Sequence, residues 1–176
     1  MGYSLWLLPP TSSKIAVSLM SIIKSFGCSF APHVTIVSKI PLTTSIEDIK
    51  SSLSTYFTNH SLPDVRIKTL ETGSEFFKRI FVRCEKTDSL ASLARFSKQT
   101  FVNNDDDDIN KWTNEYDPHI SLIYAEKKDC NDEELINQID LSILINKTWQ
   151  GGKIQLVDTS GKLSEWKTVL EFDISK

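Results

Sequence analysis

The chain has 176 residues, 40% hydrophobic and 24% charged, a composition that excludes a disordered or coiled-coil protein and, at this length, allows one core without disulfides or a structural metal, so a single domain over residues 1–176 is expected. A net charge of −3 argues against a long nucleic acid as partner, although local residues can still hold a small phosphorylated ligand. Cys28, Cys84 and Cys130 are odd in number and lack C-x-x-C spacing, which argues against a disulfide framework or a zinc ribbon and suits reduced thiols in an intracellular protein.

Residues 1–10 carry no basic leader pattern, and no run approaches the ~20 apolar residues of a membrane span, so a soluble, cytoplasmic chain without a transmembrane segment is expected. The apolar stretch at residues 3–8 (YSLWLL), stopped by Pro9 and Pro10, reads as a buried strand. A helix follows, capped by Ser12 or Ser13, with Ile15, Leu19, Ile22, Ile23 and Phe26 on one face and Gly27 at its end. Residues 33–40 (HVTIVSKI) form a β-branched strand.

Thr44 and Glu47 form a capping box for a second helix, with Ile46, Ile49, Leu53 and Phe57 on its inner face. Residues 65–72 and 77–84 alternate as a hairpin around Gly73, and Thr87 caps a third helix reaching Val102. The four consecutive aspartates at 105–108 repel one another and are expected in an exposed loop rather than a packed element or a metal site. Residues 119–125 (HISLIYA) resume as a strand, Asp132, Glu133 and Glu134 start a helix, and strands close the chain at 153–158 and 166–174. The order strand, helix, histidine strand thus nearly repeats, which suggests two α+β lobes facing each other across a cleft.

Two segments carry the chemistry: Pro32-His33-Val34-Thr35-Ile36 and Pro118-His119-Ile120-Ser121-Leu122. Strand alternation puts His33 with Thr35 on one face and Val34 with Ile36 on the other, and treats His119 and Ser121 likewise. Opening a phosphodiester in line needs a base for water, an acid for the leaving oxygen and donors for the non-bridging oxygens. Two imidazoles, with an unperturbed pKa of about 6.5, and two hydroxyls supply those roles. One H-x-[ST] alone reads as a packing or surface histidine; two of the three histidines sharing the pattern half a chain apart point to catalysis. The third, His60, reads as a loop residue.

With Tyr116-Asp117 before the second tetrad and Ile123-Tyr124-Ala125 after it, the chain resembles the 2H phosphoesterase superfamily, in particular its plant and fungal cyclic nucleotide phosphodiesterases. The similarity extends to Tyr3-Ser4-Leu5-Trp6, to residues 72–77 and to residues 158–166. The resemblance implies a bilobal α+β fold of two pseudo-symmetric lobes, each an antiparallel sheet with outer helices. It also implies metal-free opening, with no cofactor, of 2′,3′-cyclic nucleotides to 2′-phosphates and of ADP-ribose 1″,2″-cyclic phosphate, a by-product of tRNA splicing, to ADP-ribose 1″-phosphate.

Carried onto this chain, His33 and His119 are the acid/base pair, His119 activating water and His33 protonating the leaving oxygen, with Thr35 and Ser121 as phosphate ligands. Tyr124 matches a family tyrosine near the phosphate, yet strand parity turns it away from Ser121 unless a bulge or strand end redirects it. Phe76 or Phe77 offers a ring for a base, and Trp166 lines the cleft or packs in the core. Small-molecule partners and a monomer are expected, and fungal members add an association with the Golgi.

Two competing readings differ in observable ways. A 2H protein acting on RNA termini, 2′-5′ ligase-like or trimming 3′ ends, calls for a basic track beside the cleft, and Lys and Arg here are scattered. A nucleotide-binding module that has lost its chemistry calls for a missing histidine or hydroxyl, and all four are present.

Overall fold

The computed structural model describes residues 2–103, 105–126 and 131–174. Along them run β1 (Tyr3–Leu8), α1 (Lys14–Ser25), β2 (Val34–Ile40), α2 (Ile46–Asn59), β3 (Asp64–Thr72), β4 (Ile80–Cys84) and α3 (Asp88–Phe101). They continue with α4 (Asp106–Glu115), β5 (His119–Ile123), α5 (Asp132–Asn137), β6 (Thr148–Gln150), β7 (Lys153–Asp158) and β8 (Lys167–Asp173). The strands are ordered β6-β3-β4-β5-β2-β1-β7-β8, with antiparallel neighbours throughout.

Two four-stranded halves meet where β2 lies beside β5, through the residue pair Val34 and Ile120. Each of these residues directly follows a histidine, so the antiparallel register turns His33 toward Ser121 and His119 toward Thr35, and both histidines line one cavity across the seam. The order β1-α1-β2 in one half is repeated by β4-α3-β5 in the other, with α4 inserted before β5. The helices cross the seam, α1 packing on β5 and α3 on β2. This is the bilobal α+β arrangement expected from the residues.

Alternation decides which face is core. Leu5 and Leu7 on β1, Val34 and Ile36 on β2, and Ile120 and Leu122 on β5 are fully buried. Their neighbours Trp6, Thr35 and Ser121 therefore look the other way, into the cleft. A one-residue slip of β2 or β5 would exchange the two sets, so core burial holds the cleft side chains in register.

Local signals shape the approach to the site. Ser13 Oγ accepts from the Ala16 amide at 3.2 Å and caps α1, whose buried stripe is Ile15, Leu19, Ile22 and Ile23. Gly27, at φ +74°, ends the helix; its amide reaches the Lys24 carbonyl at 3.0 Å and that of Cys28 the Ile23 carbonyl at 3.1 Å. The chain is thereby turned into the loop that ends at His33.

Three local expectations need correction, and one strand has no counterpart among the expected elements. The cap of α2 is Ser45, which accepts from the Asp48 amide at 3.3 Å, while Thr44 lies one residue too early to reach the first-turn amides. The aspartate run is a helix start, not a loop: Asp105 accepts from the Asp108 amide at 3.0 Å, and Asp106, Asp107 and Asp108 form the first turn of α4. The helix dipole welcomes negative charge there, and fully buried Ile109 anchors the turn. Phe77 lies in a 3₁₀ turn, Phe76–Lys78, ahead of β4. Finally, β6, three residues pairing with β3, has too short a pattern to be read from sequence. Cys28 and Cys84 are free thiols; Cys130 lies outside the described residues.

Candidate active site

A cavity of about 500 Å³ opens over the seam, and His33, Thr35, His119, Ser121 and Tyr124 all line it. The two histidines are held alike. His33 Nδ1 lies 2.7 Å from the Ala31 carbonyl and His119 Nδ1 2.8 Å from the Asp117 carbonyl, in each case two residues back across a proline. A carbonyl only accepts, so each Nδ1 carries a proton and each Nε2 is the nitrogen left for chemistry in the cavity.

Their surroundings differ. His33, 6% exposed, stacks on Trp6 with ring centroids 3.7 Å apart and planes 11° from parallel. The indole is fixed in turn, its N–H donating to Ser4 Oγ at 3.0 Å. Burial pushes His33 down to about 4, opposed by the Ala31 bond and reinforced by His119. His119 is also pushed down to about 4, first by burial, then by the positive charges of Lys78 and Arg83. Those cations are held by Asp117, whose carboxylate receives Lys78 Nζ at 2.6 Å and also binds Arg83. Arg83 reaches on to Glu71 at 2.7 Å, which holds that carboxyl down at about 2. The residue whose backbone orients His119 thus also gathers the charges that keep it neutral.

Thr35 faces the cavity from β2, and its carbonyl accepts from the Tyr116 hydroxyl at 3.0 Å, a bond between β2 and the segment leading into β5. Ser121, 7% exposed, donates its hydroxyl to the Phe77 carbonyl at 2.6 Å. To give that proton to a phosphate, Ser121 must turn away from Phe77.

Tyr124 reaches the cleft for the reason strand parity allows: β5 ends at Ile123, and the chain turns there. Its ring stacks on Phe30 at 3.9 Å and 15°, and burial raises the phenol above its ordinary value, keeping it a neutral donor. Phe77, 46% exposed, lines the same cavity and stacks against Trp166 at 5.3 Å and 28°. Phe76 instead lines an adjoining cavity of about 420 Å³, which shares Trp6, Tyr124 and Trp166 with the first. His60 stays outside, stacked on Tyr56 at the end of α2.

Sequence reasoning missed several lining groups. Trp6 shares a strand face with Ser4, a period-two signal obscured by the continuous apolar run around it. Lys39 is brought to the rim by a left-handed backbone, φ 63°, at an irregularity in the β1–β2 pairing. Phe30 and Gln155 become cleft residues through long-range packing that leaves no local pattern. Among the described residues, no group of three or more His, Cys, Asp or Glu is placed to hold a metal ion.

Residues 1–174 match the family model described as cyclic phosphodiesterase-like protein. A 2′,3′-cyclic-nucleotide 3′-phosphodiesterase of Phaeosphaeria nodorum is 28% identical, with 98% of this chain and 99% of that protein covered. A cyclic phosphodiesterase of Arabidopsis thaliana is 26% identical, over 95% and 92%. Among solved structures, Escherichia coli LigT complexed with 3′-AMP superposes with a TM-score of 0.51 at 12% identity, covering 99% of this chain and 98% of that one, a likeness of fold. The chain belongs to the cyclic phosphodiesterase-like family, the branch to which its two Pro-His tetrads point.

Proposed function

We propose that the protein is a metal-independent phosphodiesterase that opens 2′,3′-cyclic nucleotides, with His33 and His119 as its acid/base pair. The observation that carries this reading is the matched pair of imidazoles, each tied through Nδ1 to a carbonyl and each lining one cavity with a hydroxyl two residues on. Relatives named 2′,3′-cyclic-nucleotide 3′-phosphodiesterase support the substrate class.

His119, beside Lys78 and Arg83, is disfavoured as a cation and suits the base. His33, flat against an indole face that favours a cation, suits the acid. His119 Nε2 takes a proton from water as the water oxygen bonds to phosphorus. The bond from phosphorus to the 3′ oxygen breaks, and that oxygen receives the proton of His33 Nε2, leaving a 2′-phosphate. Thr35 and Ser121 donate to the non-bridging oxygens, Ser121 exchanging the Phe77 carbonyl for phosphate. Tyr124 steadies the phosphate, and Phe76 and Phe77 flank the base.

The same reading extends to ADP-ribose 1″,2″-cyclic phosphate, opened to ADP-ribose 1″-phosphate in the wake of tRNA splicing. It carries small-molecule partners only, a monomer, and a cytoplasmic or Golgi-associated location. Hydrolysis of 2′,3′-cyclic AMP in EDTA, with the product isomer identified, tests it. The 2′-phosphate is expected; an EDTA-sensitive reaction or a 3′-phosphate product overturns it.

A further inference from the structure

The second cavity beside the catalytic one has a polar group set in a fixed orientation. Strand register places Thr35, Trp6, Gln155 and Glu171 in one row across β2, β1, β7 and β8. Alternation turns the row toward the cleft, and Gln155 lines the adjoining cavity with the Trp6, Phe30, Phe76, Tyr124 and Trp166 rings. Gln155 Nε2 donates to Glu171 Oε2 at 2.5 Å, while Lys153 Nζ holds the other oxygen, Oε1, at 2.6 Å. Both donors keep Glu171 below its ordinary range, an ionised group that can only accept. One N–H of the amide is therefore committed to Glu171, an acceptor that the amide oxygen cannot bond, and this fixes which way the amide points and presents its oxygen as an acceptor on this stretch of wall.

We propose that Gln155 Oε1 reads a hydrogen-bond donor on the substrate's nucleobase, the 6-amino group of adenine being the donor that fits, with Glu171 as the positioning residue that sets the amide. This rests on the cyclic phosphodiesterase reading and names the base it prefers. Gln155 stands two strands from Thr35, roughly 10 Å at about 4.8 Å per strand. That is about the span from phosphorus to the 6-amino group in an adenosine 2′,3′-cyclic phosphate, and the aromatic rings that line this cavity supply faces for the purine.

The test compares kcat/KM for 2′,3′-cyclic AMP and for the 2′,3′-cyclic phosphate of purine riboside, which differs only in lacking the amine. Both substrates are run on the same preparation, so any loss of folded protein cancels in the ratio. Wild type is expected to prefer the adenosine compound by roughly two- to tenfold, the range of one net hydrogen bond. Gln155→Met is expected to bring the ratio to about 1. Glu171→Gln, which keeps the acceptor and frees its orientation, gives an intermediate ratio. A wild-type ratio near 1, or a preference that survives in Gln155→Met, overturns the inference while leaving the activity standing. Failure of wild type to turn over either compound overturns the parent reading, and this one with it.

Discussion

Burial pushes both candidate catalytic histidines down to about 4, and in the proposed mechanism this sets the pH dependence of hydrolysis. In that mechanism the working form carries one proton on the pair. At pH 7 only about one molecule in several hundred of the free protein does so. A cyclic phosphodiester is an anion, and at about 4 Å from an imidazole in an environment of effective dielectric about 20 it favours the cation by about 4 kcal/mol, or about three pKa units. In the proposed mechanism bound substrate therefore brings its own acid into play, by favouring the protonated form of His33 in the complex. The two kinetic profiles then separate. Because kcat/KM reports the free protein, it is expected to fall about tenfold per pH unit between 5 and 7, while kcat, reporting the complex, is expected to stay level to higher pH. Steady-state hydrolysis of 2′,3′-cyclic AMP from pH 4.5 to 8 at constant ionic strength measures both. A kcat/KM that is flat from pH 5 to 6.5 would mean that the free histidines titrate at ordinary values, and the argument from burial would fail.

The same shift has a stability consequence of definite sign. His33 binds its proton at about 4 folded and 6.5 unfolded, so its contribution is present above 6.5 and is lost as the pH falls toward 4. His33→Phe should reduce the acid loss by about 3 kcal/mol in urea titrations at pH 7 and 4, and equal losses in variant and wild type refute this. Tyr116→Phe leaves the Thr35 carbonyl without its donor and should cost about 1–2 kcal/mol with a drop in kcat/KM; an unchanged urea midpoint contradicts the link between β2 and the segment before β5. Asp105→Ala should cost about 1 kcal/mol and Asp106→Ala clearly less, since only Asp105 caps α4; equal thermal shifts would argue against the cap.

The parts of the molecule legible in the sequence are those governed by neighbours along the chain. Val34, Ile36, Ile120 and Leu122 alternate with His33, Thr35, His119 and Ser121, and period two alone predicts that the latter share the face opposite the core. Gly27 and Thr87 mark helix ends because backbone conformation and capping act within a few residues. The aspartate run misleads because side-chain repulsion and the helix dipole act in opposite senses, and buried Ile109 tips the balance toward helix. Trp6 against His33, Phe30 against Tyr124 and Gln155 against Glu171 depend on how strand register and loop packing bring separate segments together, so only the fold reveals them. Tyr124 marks the boundary between the two cases, since its outcome hangs on where β5 stops.

The central claim is that two histidines on the two sides of one seam act as a unit. The direct test is single-turnover hydrolysis of 2′,3′-cyclic AMP in EDTA by wild type, His33→Ala, His119→Ala and the double variant. Each single change should cost roughly 10²–10⁴ in rate, and the double variant little more than either, because one proton transfer without its partner is of small use. Turnover within tenfold of wild type in either single variant would contradict the account.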